Sequence, residues 1–258
     1  MLSDVSGQVA LVTGASKGMG RHFVRSLADA GMKVAALARP SAELTSLQAE
    51  GAFTIPCDIA DPTAVNAAVA DTVGHFGRLD VVVANAAIYR PFAFEAASDA
   101  DIRDHFEINV FGVAWLIRAA IPHLRATRGH MIGISSESVR MPFPMLATYA
   151  ASKAALETLF QGLRDELRSD GIRMTILRSG NVKGGSGGAN WDAAATEAFY
   201  RKIVATGHAA MTGEPASPES MAEALLSVIR LPRDISVDLV EVRAAREGMP
   251  DGAKASSA

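Results

Sequence analysis

Two side chains that can move a proton stand four residues apart near the middle of the chain. Tyr149 and Lys153 lie in the run Tyr-Ala-Ala-Ser-Lys, and Ser136 precedes the tyrosine by thirteen residues. Residues four apart share one face of a helix, so the ammonium group can lie beside the phenol. A nearby cation favours the phenolate over the phenol, whose ordinary pKa is about 10. We therefore predict that Lys153 lowers the pKa of Tyr149 and that the Ser136 hydroxyl shares the oxygen on which charge changes.

Such a proton-transfer site needs a redox partner, and a glycine-rich run near the N-terminus predicts a place for one. The run Thr-Gly-Ala-Ser-Lys-Gly-Met-Gly follows a predicted strand and opens a predicted helix. Glycines there let the backbone approach a pyrophosphate, which sits at the positive end of the helix. The spacing departs from the Gly-x-Gly-x-x-Gly fingerprint, and a tight turn that binds nothing is the alternative. The residues predicted to bind a dinucleotide are Gly14, Ser16, Lys17, Gly18, Met19 and Gly20.

The composition is that of a globular protein without features of nucleic-acid or membrane binding. The chain has 258 residues, 49% of them hydrophobic, and a net charge of −3. The single cysteine, Cys57, can form no internal disulfide, and the histidines are scattered, so we expect no metal site. No signal peptide is predicted, and the apolar runs are too short to cross a bilayer. We expect a cytoplasmic protein with neither nucleic-acid nor membrane partners.

Short β-rich runs alternate with longer amphipathic segments along the chain. The predicted strands are Val9–Thr13, Lys33–Leu37, Phe53–Pro56, Leu79–Ala84, His130–Ser135, Met174–Arg178 and Val237–Val240. The predicted helices are Gly20–Ala30, Ala42–Glu50, Pro62–Phe76, Asp99–Leu124, Ala147–Arg168 and Pro218–Ile229. This alternation predicts an α/β fold, in which a doubly wound, Rossmann-type parallel sheet of about seven strands carries helices on both faces.

The chain shows no linker that would divide it, so we predict a single domain over residues 1–247. Residues 184–215 begin with glycines and continue into a short predicted helix that carries Trp191 and Phe199. That arrangement is typical of a lid that closes over a substrate. Residues 248–258 are small and polar, and we expect them to form a flexible tail.

The glycine turn, Ser136, Tyr149 and Lys153, in that order, resemble the short-chain dehydrogenase/reductase family. The resemblance extends from Val9 to about Val242 and includes three further features. These are Cys57-Asp58-Ile59 after the third predicted strand, Asn85-Ala86-Ala87 after the fourth, and Asn109 inside the long central helix. The resemblance implies an oxidoreductase of the carbonyl reductase or alcohol dehydrogenase type, which interconverts a ketone or aldehyde and an alcohol.

The resemblance also implies a role for each of these residues. Tyr149 would be the general acid in reduction and the general base in oxidation, while Lys153 would hydrogen-bond the nicotinamide ribose. Ser136 would orient the substrate oxygen, and Asn109 would hold a water that links the lysine to solvent. Further cofactor contacts are implied for Asp58, Ile59, Asn85, Ala86, Gly180 and Val182.

The end of the second predicted strand indicates which nicotinamide cofactor is preferred. An acidic residue at this place binds the ribose 2′-hydroxyl of NAD, but here Ala38 is followed by Arg39. Arg39 and Lys17 are cations that match a 2′-phosphate, so we predict NADP(H) over NAD(H). The alternative is that both are solvated surface charges.

Three positions depart from the family pattern near the nicotinamide. Ala87 replaces a glycine and Ser179 replaces a proline. Gly184 stands where a threonine often contacts the carboxamide, and that contact could pass to Ser186.

Apolar side chains near these motifs predict the walls of the substrate pocket, namely Tyr89, Phe92, Phe143, Met145, Trp191 and Phe199. They favour a ketone or secondary alcohol with a hydrophobic body. Arg90 and Arg140 could bind an anionic substrate instead, although each is more typical of a surface charge. The resemblance implies a homodimer or homotetramer formed through the two long helices and the last strand. A regulatory or scaffolding relative that binds cofactor without redox activity is the alternative function.

Overall fold

Strands and helices alternate along the described parts of the chain, as the sequence predicted. The computed structural model describes residues 2–184, 191–209 and 215–245. Its strands are β1 (Val9–Thr13), β2 (Lys33–Ala38), β3 (Phe53–Pro56), β4 (Val81–Ala84), β5 (His130–Ser136), β6 (Arg173–Ser179) and β7 (Leu239–Val242). Its helices are α1 (Gly18–Asp29), α2 (Ala42–Ser46), α3 (Pro62–Phe76), α4 (Asp99–Phe106), α5 (Gly112–Thr127), α6 (Ala147–Leu167), α7 (Ala193–Ala205) and α8 (Pro218–Ile229).

The strands form one parallel sheet in the order β3-β2-β1-β4-β5-β6-β7. The strand order reverses between β1 and β4, so the connections that follow these strands diverge to opposite faces. A crevice therefore opens at the carboxyl ends of the strands, where ligands bind in sheets of this kind. This topology confirms the predicted doubly wound Rossmann-type fold.

Two apolar cores lie on the two faces of the sheet. Along β1, Val9 and Leu11 belong to one core, while Ala10 and Val12 belong to the other. Helices α3, α5 and α6 cover the first core, and α1 and α8 cover the second. The strands are therefore buried on both faces, which fixes their carboxyl ends as a rigid floor for the crevice.

The structure corrects the bounds of several predicted elements. Strand β4 starts at Val81 and not at Leu79, and the helix predicted over Ala42–Glu50 is α-helical only to Ser46. The helix predicted over Asp99–Leu124 is interrupted by a π-helical turn at Glu107–Phe111 that separates α4 from α5. The last strand starts two residues later than predicted, at Leu239, which pairs with Ile176. The carbonyl of Val237 instead accepts a hydrogen bond from the Thr175 hydroxyl at 2.6 Å, so that residue stays outside the β7 ladder. Across residues 2–184, 191–209 and 215–245, no helix has the length and apolar character needed to cross a bilayer.

Candidate active site

A cavity of about 1010 Å³ occupies the crevice at the carboxyl ends of the strands. Most of the residues predicted from the sequence line it, which brings residues from the ends of six strands into one site. They are Gly14, Ser16, Lys17, Met19, Gly20, Arg39, Asp58, Ile59, Asn85, Ala86, Ser136, Tyr149, Lys153, Gly180 and Val182. Gly18 and Asn109 lie behind this surface and do not line the cavity.

The turn between β1 and α1 has a backbone that only glycine fits. Gly14 has a φ of +64°, and a Cβ there would lie 2.8 Å from the Cα of Ala86. Gly18 has a φ of +55°, and a Cβ on Gly20 would lie 2.1 Å from the Gly14 carbonyl oxygen. Helix α1 then begins without a side-chain cap at Lys17, its N-cap residue. Uncapped N–H groups at a helix N-terminus are suited to an anion such as a phosphate.

Thr13 and Asn85 join this turn to the end of β4. The Thr13 hydroxyl accepts hydrogen bonds from the backbone N–H groups of Asn85 and Ala86, both at 3.1 Å. The Asn85 amide donates to the carbonyl oxygens of Thr13 at 2.9 Å and Gly14 at 3.3 Å. The two strand ends that border the crevice are therefore fixed to each other before any ligand enters.

The far end of the cavity carries two cations and one carboxylate. Lys17 and Arg39 line it as predicted, and Glu43 of α2 lines it beside them. Polar contacts with its own backbone N–H and with Ser41 lower the pKa of Glu43, and the charges of Lys17 and Arg21 lower it further. The sequence reasoning missed this carboxylate, although Ser41 followed by a short helix with an acid in its first turn was a visible signal.

Ser136, Tyr149 and Lys153 come together where β5 meets α6. The Lys153 ammonium donates to the Ile134 carbonyl oxygen at 2.7 Å and lies 5.9 Å from the centroid of the Tyr149 ring. Its side chain is only 3% exposed. Ser136 ends β5 and accepts a hydrogen bond from the Ser138 N–H at 3.2 Å.

The predicted lowering of the Tyr149 pKa is wrong for this structure. Burial raises the pKa of Tyr149 to about 12, and the Ser136 hydroxyl opposes that rise. Burial lowers the pKa of Lys153 to about 8, and the carboxylate of Glu157 one turn further along α6 opposes that fall. Loss of hydration disfavours both charged forms, and it outweighs the attraction that four-residue spacing predicts.

Asn109 lies in the π-helical turn and is completely buried. Its Oδ1 accepts a hydrogen bond from the Ile88 N–H at 2.8 Å, and its Nδ2 donates to the Ile88 carbonyl oxygen at 3.0 Å. The same Nδ2 donates to the Ser152 hydroxyl at 3.0 Å. The side chain therefore fixes the segment after β4 to α6 directly beside Tyr149 and Lys153.

Aromatic side chains surround the end of the cavity that holds Tyr149. Tyr89, Phe143, Trp191 and Phe199 line it as predicted. The Tyr89 ring stands 4.9 Å from the Tyr149 ring and 4.8 Å from that of Trp191. The Trp191 indole N–H donates to the Tyr89 carbonyl oxygen at 2.6 Å, so the start of the α7 region is fixed against the segment after β4.

Two residues predicted as pocket walls belong elsewhere. Phe92 and Met145 line a second cavity of about 600 Å³ on the outer side of α7. The Phe92 N–H donates to the Met145 carbonyl oxygen at 3.0 Å, which holds the two segments together beside the second cavity. Arg90 and Arg140 are engaged in ion pairs, with Asp104 at 2.5 Å and with Glu241 at 3.3 Å. Both therefore have the surface role that the sequence favoured.

A chain of ion pairs, not foreseen from the sequence, borders the site. Glu157 pairs with Arg178 at 2.6 Å, and Arg178 pairs with Glu241 at 3.0 Å. Glu241 pairs with Arg243 at 3.0 Å, and Arg243 pairs with Glu137 at 3.4 Å. The chain thus runs from the turn after Lys153 to the residue after Ser136. These residues are distant in sequence, and only the parallel pairing of β5, β6 and β7 brings them together.

Some predicted positions fall outside the described residues. Ser186 and the tail at 248–258 are among them, while Gly184, with a φ of +66°, lines the cavity. Among the residues that the structure describes, no group of histidine, cysteine, aspartate and glutamate side chains could hold a metal ion.

Comparison with known proteins identifies the family of the chain. A model of the short chain dehydrogenase family matches residues 8–194. The chain belongs to the short-chain dehydrogenase family. A member of this family from Arabidopsis thaliana, 11-beta-hydroxysteroid dehydrogenase-like 3, is 36% identical over 187 residues, which cover 69% of this chain. The chain spans 60% of the length of that relative.

Solved structures of short-chain dehydrogenases share the fold over nearly the whole chain. One from Streptomyces avermitilis is 32% identical with a TM-score of 0.80, covering 92% of this chain and 88% of that one. One from Burkholderia cenocepacia J2315, in complex with NADP, is 29% identical with a TM-score of 0.77. It covers 93% of this chain and 98% of that one. The chain therefore shares the fold of the short-chain dehydrogenases as well as their family model.

Proposed function

We propose that the chain is an NADP(H)-dependent oxidoreductase that interconverts a ketone or aldehyde and an alcohol, with Tyr149 as the general acid and base. One observation carries this proposal. Half-buried Ser136 and Tyr149 and buried Lys153 stand at one end of a single cavity whose other end is a glycine turn with two cations. A dinucleotide that spans this cavity would bring its reactive ring to the trio.

The residues of the cavity fit such a cofactor. The glycine turn leaves no room for a Cβ at Gly14 or Gly20, and α1 lacks a side-chain cap where a pyrophosphate would lie. Asp58 and Ile59 would contact the adenine, and Asn85 would contact the body of the cofactor. A nicotinamide bound here supplies the hydride in reduction and accepts it in oxidation.

The chain's own residues handle the proton. With a pKa near 12, Tyr149 keeps its proton at neutral pH and can donate it to the carbonyl oxygen as the carbon is reduced. Ser136 orients that oxygen, and the Lys153 ammonium stabilises the phenolate that the transfer leaves behind. In the oxidative direction the same phenolate accepts the proton of the alcohol. Asn109 positions α6 through Ser152 and the segment after β4 through Ile88.

Preference for NADP(H) is supported by Lys17 and Arg39, which both line the far end of the cavity. Guanidinium and ammonium groups form charge-assisted hydrogen bonds with a 2′-phosphate. Glu43 opposes this preference, because its ionised carboxylate lies in the same region. The NADP complex of the Burkholderia cenocepacia relative shows that the fold accommodates this cofactor.

The proposal also includes a lid that closes over the substrate and the assembly of several subunits. We place residues 1–247 in one domain with a lid at 184–215, of which Trp191 and Phe199 cover the aromatic end of the cavity. Assembly as a homodimer or homotetramer would use α5, α6 and β7. In support, Phe111, at the start of α5, is 46% exposed and stacks on Trp115 with ring centroids 6.4 Å apart. Light scattering coupled to size exclusion measures the assembly directly.

The test of the proposed function is a panel of ketones, aldehydes and alcohols, followed by the absorbance of NADPH. Turnover of at least one carbonyl compound, with higher kcat/KM for NADPH than for NADH, is the expected result. Tight NADPH binding without turnover of any compound would instead indicate a protein that binds cofactor and has no redox activity.

A further inference from the structure

The residue after Ser136 is a buried carboxylate that the proposed mechanism does not use. Glu137 lines the cavity with Ser136 and Tyr149, yet it is only 6% exposed. Its one ionic partner in the described part of the chain is Arg243, at 3.4 Å. No hydrogen bond to its carboxylate oxygens comes from residues 2–184, 191–209 or 215–245. The carboxylate oxygens are therefore free to accept a hydrogen bond from a ligand in the cavity.

A second polar group beside it also lacks a partner. Ser138 is 2% exposed and lines the same cavity, and its hydroxyl forms no hydrogen bond among the described residues. The backbone N–H of Ser138 donates to the hydroxyl of Ser136, which caps a short 3-10 turn that contains both Glu137 and Ser138. The Ser138 hydroxyl is closed to solvent, so the Glu137 carboxylate is the side-chain group of this turn that can reach a ligand in the cavity.

The charge of Glu137 reaches the aromatic end of the cavity. Burial is the main cause that raises the pKa of both Tyr149 and Tyr89, and the Glu137 carboxylate adds to the rise in each case. Burial raises the pKa of Glu137 itself, while Arg243 opposes that rise. The negative charge of Glu137 therefore acts on both phenols that line this end of the cavity.

The surrounding charges favour a neutral donor over a cationic one. Around Glu137 the ion-pair chain contains three carboxylates and three guanidinium groups, which balance: Glu137, Glu157, Glu241, Arg140, Arg178 and Arg243. A substrate ammonium group would add an unbalanced charge to a buried site, whereas a hydroxyl group would donate without changing the balance.

We propose that Glu137 recognises a hydroxyl group next to the reacting carbon, so the substrate is a vicinal diol or the corresponding hydroxyketone. The inference rests on the proposed function and names its substrate class. The hydroxyl donates its one proton to the Glu137 carboxylate. The remaining carbon skeleton packs against Tyr89, Trp191 and Phe199, whose rings suit the C–H face of a compact ring.

Binding to the NADPH-loaded protein tests this without turnover, because an alcohol and a reduced cofactor cannot react. We would measure the Kd of cyclohexanol and of cyclohexane-1,2-diol by calorimetry for the wild-type protein, Glu137→Gln and Arg243→Gln. The wild type is expected to bind the diol at least roughly tenfold more tightly, as a hydrogen bond to a buried charge implies. Glu137→Gln should remove most of that difference, since its neutral amide accepts more weakly.

Arg243→Gln is the matched control, because it removes the ion pair and keeps the carboxylate in the cavity. It should retain the preference for the diol. Equal binding of the two alcohols by the wild type, no binding of the diol, or a preference that survives in Glu137→Gln would each overturn the proposal. Failure of NADPH itself to bind would instead count against the proposed function.

Discussion

The ammonium of Lys153 donates to the carbonyl oxygen of Ile134 at 2.7 Å. That bond anchors the first turns of α6 to the end of β5, the strand that carries Ser136. One residue further along β5, the Ser135 hydroxyl donates to Glu157 at 2.6 Å. Two successive residues of the strand thus bond to α6 side chains one helical turn apart. The placement of Ser136 relative to Tyr149 is therefore supported by two contacts between residues that precede the serine on β5 and residues that follow the tyrosine on α6.

Removal of the Tyr149 hydroxyl should greatly slow carbonyl reduction and leave cofactor binding nearly unchanged. Tyr149→Phe is expected to lower kcat for carbonyl reduction by roughly 10²–10⁴-fold, the usual contribution of general acid catalysis. Its Kd for NADPH, measured by fluorescence titration, should change little. Tyr200→Phe is the matched control, because it removes a phenolic oxygen from a residue of the same cavity that is 58% exposed on α7. Activity of Tyr149→Phe close to that of the control would exclude the tyrosine as the acid.

The pH dependence of reduction should follow Lys153. Burial lowers its pKa to about 8, so the ammonium that stabilises the phenolate is present below that pH and is lost above it. We expect kcat/KM for carbonyl reduction to fall as pH rises through about 8. Glu157 raises the pKa of Lys153, so in Glu157→Gln the descending limb should move to lower pH. If the descending limb of the pH profile lies at the same pH in Glu157→Gln as in the wild type, then Glu157 does not raise the pKa of Lys153.

Cofactor preference should depend on Arg39 and be moderated by Glu43. Arg39→Ala is expected to raise the Kd for NADPH by roughly tenfold, because a charge-assisted hydrogen bond to phosphate is lost, and to leave the Kd for NADH nearly unchanged. Glu43→Gln removes an ionised carboxylate beside the same cations and should tighten NADPH binding by about threefold, an effect typical of exposed charges. An equal rise in the Kd for NADPH and for NADH in Arg39→Ala would contradict a contact between Arg39 and the 2′-phosphate.

A methyl group added in the glycine turn should impair NADPH binding, whereas the same methyl group added in helix α3 should not. In Gly20→Ala the new Cβ would lie 2.1 Å from the Gly14 carbonyl oxygen, so the turn must move and NADPH binding should be lost. In Gly74→Ala, within α3, a Cβ has no neighbour within 4 Å and should stabilise the fold by about 0.5–1 kcal/mol. Thermal unfolding with and without NADPH measures both effects. A ligand-induced rise in Tm for Gly20→Ala equal to the wild type would refute the steric argument.

The sequence predicted those parts of the fold and site that depend on local pattern. Strand β1, the glycine turn and the Tyr149–Lys153 spacing each lie within a few residues, and the structure places them as expected. Non-local contacts were the source of the errors. Phe92 faces a second cavity because of its backbone bond to Met145, a residue more than fifty positions away. No local pattern shows that Glu137 and Glu157 share an ion-pair chain through Arg178.

The pKa of Tyr149 could not be predicted from the sequence, for a different physical reason. Spacing alone correctly placed a cation near the phenol, but the balance between attraction and lost hydration depends on how much protein surrounds both groups. That quantity comes from the packing of α4, α6 and the segment after β4. Site residues can thus be predicted from spacing, whereas their protonation behaviour requires the folded environment.

The π-helical turn at Glu107–Phe111 restricts insertions and deletions as well as substitutions. A π turn contains about one residue more than an α-helical turn, and each residue of an α-helix advances the direction of the side chains by about 100°. Deletion of one residue there would allow a continuous helix, but it would rotate either Asn109 away from Ile88 or the buried face of α5 away from the sheet. The number of residues between Ser98 and Arg128, which flank α4 and α5, is therefore itself under constraint.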